Sequence, residues 1–96
     1  MRRNLTTKHF TRAERVFGEL LKQLRIPYQA KVSVGGREAD FVVGNYAIEI
    51  DAHPQASDKN VLLLAHGFTP IHFTNADVLN NRQSIITWLE QTFSHQ

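Results

Sequence analysis

The chain contains no cysteine, which excludes a disulfide framework and any thiolate metal site and fits a cytoplasmic location. It has no apolar run as long as a membrane span requires, so no membrane association is expected. Arg2 and Arg3 stand before polar residues, unlike the start of a signal peptide. Internal repeats, linkers and low-complexity tracts are also missing. With 96 residues there is length for a single domain, residues 1–96, and one core, but not for a separate substrate-binding domain. So small a domain has little room for base readout, so a homodimer or a partner subunit is an expected route to more.

Acid is scarce at the start of the chain. Residues 1 to 37 carry nine Lys or Arg against two acids, and residues 38 to 96 carry two against seven; the balances of +7 and −5 sum to the net +2. A basic half beside an acidic patch suits a protein that draws a polyanion to one surface and sets metal-bound carboxylates against it with another. A merely solvated surface has the same composition.

Four of the nine acidic residues lie within Gly35 to His53, GGREADFVVGNYAIEIDAH. Two alternating runs, Glu38 to Val43 and Tyr46 to Asp51, are separated by Gly44 and Asn45, the pattern of a two-residue hairpin. Val43 then faces Tyr46, Phe41 faces Ile48 and Ala39 faces Ile50, all on one apolar face. On the other face Asp40 falls opposite Glu49, and Glu38 opposite Asp51. Like charges so placed repel, and a shared divalent cation with oxygen ligands would offset the repulsion. Alternation alone would give a polar, solvent-facing side, but it explains polarity rather than sign, and Asp is disfavoured in strands.

Residues 1 to 9 are expected to form a flexible basic arm. Phe10 to Leu24 has helical spacing, with Phe10, Ala13, Phe17, Leu20, Leu21 and Leu24 in one stripe. Glu14 lies at the stripe's edge and points inward, whereas Glu19 points away. Thr11 to Glu14 also reads as a capping box, in which Glu14 would only satisfy backbone donors. Arg12, Arg15 and Lys22 fall outside the stripe and, with Arg37 and Lys59, are the candidate nucleic-acid contacts.

Pro27 is expected to end that helix. Tyr28 to Val34 alternates as a strand, and Gly35 and Gly36 make a second two-residue turn, placing Ala30 opposite Phe41, Val32 opposite Ala39 and Lys31 opposite Asp40. Ser57 to His66 predicts a second helix, well buried because Val61 to Ala65 nearly surround it with apolar side chains, and ended by Gly67. Thr69 to Thr74 predicts a fourth strand with His72 on the face opposite Ile71 and Phe73. A closing segment from Asn75 or Asp77 leads into a last amphipathic helix. The fold class is α/β with a mixed sheet, three antiparallel strands plus a fourth that is parallel after a right-handed crossover through a helix.

This α-β-β-β-α-β core, with Asp40 in the EADFVV strand, Glu49 and Asp51 in IEID, and Glu14 on the first helix, resembles the PD-(D/E)XK nuclease superfamily. Within it the sequence is similar to the very short patch repair endonuclease group and its small relatives, whose third strand reads roughly I-E-x-D-G. The resemblance implies a restriction endonuclease-like domain that hydrolyses DNA phosphodiesters, duplex or structured, with Mg²⁺ or Mn²⁺. By it, Asp40 and Glu49 ligate the metal, Asp51 joins them where many members keep lysine, and Glu14 orients metal waters or a second ion. Lys31, and after it Lys59, are the candidates for the missing positive charge. The chain departs further in having Ala52 where relatives show glycine, His53 two residues after Asp51 rather than some four, and His72 where arginine is frequent. His53 is a candidate donor to a phosphate or leaving group, or simply a solvated loop histidine. A nucleic-acid-binding or regulatory module without cleavage, and a subunit docking through its basic helix, are the alternatives.

Overall fold

The computed structural model describes residues 9–52 and 58–93. The elements are α1 (Arg12–Gln23), β1 (Gln29–Val34), β2 (Arg37–Val43), β3 (Tyr46–Asp51), α2 (Asp58–Ala65), β4 (Thr69–Thr74), α3 (Asn75–Asn80) and α4 (Arg82–Phe93). The four strands form one sheet in the order β1-β2-β3-β4, antiparallel except for the parallel β3 and β4. The basic arm expected at the N-terminus and the Ser57 cap fall largely or wholly outside the described residues.

Both short turns set the register that their glycines predict. Gly35 and Gly36 have φ of +56° and +84°, values that glycine adopts without the Cβ clash other residues meet. Ala30 accordingly pairs with Phe41 and Val32 with Ala39, and across the next hairpin Phe41 pairs with Ile48 and Val43 with Tyr46. One prediction about faces fails. Ala39 and Val32 pack with Val42, Ala47 and Leu63 on the α2 side, whereas Phe41, Val43, Ile48 and Ile50 join the main core on the other side. The change of face in β1 coincides with Lys31, a non-glycine residue at φ +56° between Ala30 and Val32.

The main core holds α1, α3 and α4 against the sheet, with Phe17, Phe41, Leu21, Ile48, Val78 and Leu89 fully buried. Each such side chain contributes roughly 1.5–3 kcal/mol relative to exposure. Among the described residues the opposite face is covered by α2, whose one buried side chain is Leu63. The expectation of a well-buried α2 is therefore wrong, since Val61 and Leu64 are exposed. With a single sheet beneath the helix and no further layer outside it among the described residues, one stripe is buried and the rest is not.

Pro27 does not end α1. Leu24 is the C-cap, Arg25 has φ +60°, and the Ile26 and Arg25 amides donate to the Leu21 and Lys22 carbonyls, a Schellman motif complete before the proline. At the other end of the chain the closing segment is two helices. Thr74 and Asp77 form a capping box that starts α3, and Asn81 interrupts it before α4.

Candidate metal centre

The carboxylates converge where the β2–β3 ladder gives way. Its pairs run from Val43 and Tyr46 to Phe41 and Ile48; one residue further, side chains take over from the backbone. Asp40 Oδ2 accepts the Ile50 amide at 2.8 Å, and Glu49 Oε2 lies 3.4 Å from the Asp40 amide. Asp40, Glu49 and Asp51 each present a carboxylate oxygen within 4.8 Å of the others'. Glu38, expected opposite Asp51, stays exposed on the β1–β2 ladder and is not in this cluster.

Two lysines reach the cluster from opposite sides of the sheet. Lys31 Nζ on β1 is 3.1 Å from Glu14 Oε1 and 3.7 Å from Asp40 Oδ1, all three side chains being at most 13% exposed. Lys59 Nζ on α2 donates to Glu49 Oε1 at 2.8 Å. Glu14 serves two structures at once, because its Oε1 also accepts the Thr11 amide at 2.9 Å in the capping box. The choice between cap and site is thus no choice; one oxygen holds the helix end and the lysine.

These surroundings reset two charges. Burial pushes the Asp40 carboxyl up to about 7; the Ile50 amide acts against this, the Glu49 and Glu14 charges add to it, and Lys31 partly offsets them. For Lys31 burial works against the ammonium, but the hydrogen bond and charge of Glu14, with Asp40 and Glu38, outweigh it and hold the pKa above the ordinary lysine value.

Sequence reasoning missed His72 and Asn60 as members of this site. The parallel register pairs Glu49 with His72, and His72 Nε2 is 2.8 Å from Asn60 Oδ1 on α2. Its Nδ1 is buried without a hydrogen-bond partner and faces Asp51 Oδ2 at 3.8 Å. The signal was available in the predicted crossover, which places β4 beside β3, but not the register. Of the other predicted residues, Arg12, Arg15 and Lys22 are exposed on α1 and Arg37 on β2, none of them in the cluster. His53 lies outside the described residues.

The donor set suits a hard divalent cation: three carboxylates at chelating separation and an unpaired buried imidazole nitrogen beside them for a water. Four strands, mixed in direction, carry this cluster between helical layers in a mixed α/β core. Among solved structures it is similar in fold to the homing endonuclease I-Bth0305I catalytic domain, with a TM-score of 0.69 and 23% identity over 85% of this chain and 93% of that one. No protein-family model matches the sequence, and no curated protein matches it.

Proposed function

We propose that this chain is a divalent-metal-dependent DNA endonuclease, with Mg²⁺ or Mn²⁺ held by Asp40, Glu49 and Asp51. The observation that carries the reading is their convergence within 4.8 Å between two lysines, in a fold shared with a homing endonuclease catalytic domain. A bound ion there supplies a water of lowered pKa and neutralises charge on the phosphate. Lys31, held by Glu14, stands 3.7 Å from Asp40 and is suited to donate to a phosphate oxygen as charge develops, the role that Asp51 cannot fill. Lys59 Nζ balances Glu49 at 2.8 Å and, with an ion held by that carboxylate, would stand beside the same phosphate. His72 Nδ1 offers an acceptor for a water beside Asp51.

Plasmid nicking in Mg²⁺ or Mn²⁺ tests this. Wild type should nick and Glu49→Ala should lose at least roughly a hundredfold in rate. Nicking that survives Glu49→Ala or EDTA would sink the proposal. A second reading, a module that binds DNA without cutting it, is favoured by the existing Lys59–Glu49 pair, which already offsets the most buried carboxylate. Salt-sensitive DNA binding with no nicking in either metal would decide for it.

A further inference from the structure

An open-sided groove of about 230 Å³ lies along α1, lined by the partly exposed Phe10 and Tyr28 over the buried Phe41 and Gly18, and it shares Glu14 with the candidate metal centre. We infer that this groove receives one unpaired or extruded nucleobase of the bound DNA strand, an inference that rests on the nucleic-acid reading above.

Its size falls below the roughly 300–1,000 Å³ of drug-sized ligand sites, which suits one planar ring system rather than a whole cofactor. Phe10 and Tyr28, both partly exposed, are side chains of the kind on which bases stack regardless of sequence. Tyr28 and Phe41 meet edge to face at 5.7 Å between centroids, and Phe10 and Phe41 at 6.4 Å. Charge on the rim matches a nucleotide better than an apolar side chain. Arg15 and Lys22 line the opening, where phosphates flanking an inserted base would pass, with Glu19 beside Lys22 at 3.7 Å.

The groove is joined to the cluster rather than merely near it. Glu14 lines the groove and holds Lys31, whose Nζ sits 5.2 Å from the Phe10 ring centroid and 3.7 Å from Asp40. A base lodged there would belong to a nucleotide close to the phosphate at the metal centre.

Gly18 supplies a separate argument. Glycine inside a helix is destabilising relative to alanine. Packing does not demand it here, since an added Cβ would sit 3.6 Å from the Phe41 ring and 3.8 Å from the Tyr28 hydroxyl, ordinary contact distances. That Cβ would already touch Phe41 and Tyr28, which also line the groove, so a longer side chain at this position would take up the groove's space.

The test is an NMR titration of the full ¹⁵N-labelled chain in EDTA with deoxyadenosine monophosphate and, separately, with deoxyribose 5-phosphate. The nucleotide should shift the Gly18 and Tyr28 resonances, and the base-free sugar phosphate should not. Gly18→Leu, which fills the groove, should abolish the response and weaken binding of a single-stranded oligonucleotide by roughly tenfold, the effect of losing one stacked base. Equal shifts from both probes would mean phosphate capture by Arg15 and Lys22 and would overturn the inference, as would no shift from either. So would a Gly18→Leu variant that, without nucleotide, displaces the resonances of residues 1 to 8, since the groove would then belong to the chain's own arm. Should that variant fail to fold, the wild-type titration still decides. Failure of nicking with the base-dependent shifts intact would instead remove the cutting reaction and leave base binding standing.

Discussion

Asp40 is the residue at which charge, burial and pH meet. In the unfolded chain its carboxyl ionises near 3.8, and in the folded protein at about 7. Below the lower value both states are protonated and the fold bears no penalty. Between the two values the unfolded chain gives up its proton while the folded one keeps it, so stability drains as pH rises; above about 7 the loss is complete. Asp40→Asn, which can still accept the Ile50 amide, stays neutral throughout. In EDTA, urea unfolding of the two proteins should show the variant's advantage growing by about 3 kcal/mol between pH 4.5 and pH 8. A gap that does not change with pH would show that Asp40 is not held protonated by its surroundings. The same substitution should weaken metal binding, because the ion and the proton compete for one carboxylate.

At the scale of elements, two left-handed residues have opposite meanings. Arg25 at φ +60° only closes α1, and its exposed side chain is not in the carboxylate cluster. Arg25→Gly should therefore raise stability by about 1 kcal/mol by removing the Cβ clash, read as an increase in thermal midpoint with unchanged nicking. Lys31 at φ +56° sits at the site, where such outliers gather, and its ammonium is held by Glu14 and Asp40. That conformation is also the main feature the sequence does not disclose. The two-residue turns fix register, and register was enough to bring Lys31, Asp40 and Glu49 together. No glycine marks position 31, so the exchange of faces that sends Val32 and Ala39 to the α2 side cannot be read from alternation. The exposure of α2 was equally hidden, because apolar content does not say how many layers stand around a helix. His72 needed the parallel register, which follows from how the crossover packs rather than from any turn.

For the whole molecule the division of charge becomes a division of surface. No helix among the described residues is long and apolar enough to cross a membrane. Arg12, Arg15 and Lys22 are exposed along α1, and α1 delivers Glu14 to the carboxylate cluster on its inner side. A polyanion lying along that helix would thus be led to the metal centre by groups that never touch the reacting phosphate. Binding and cutting should then separate cleanly. Each phosphate contact releases counterions, so the slope of log K against log salt falls by roughly 0.9 for each cation lost. Replacing Arg12, Arg15 and Lys22 together with alanine should flatten that slope by about 2–3 in fluorescence anisotropy with duplex DNA in EDTA, and leave the metal requirement of nicking unchanged. Glu49→Ala should do the reverse, leaving the slope near that of wild type while nicking is lost. If instead the triple variant keeps the wild-type slope, the outer face of α1 is a solvated surface and the DNA must approach from the α2 side, past Lys59.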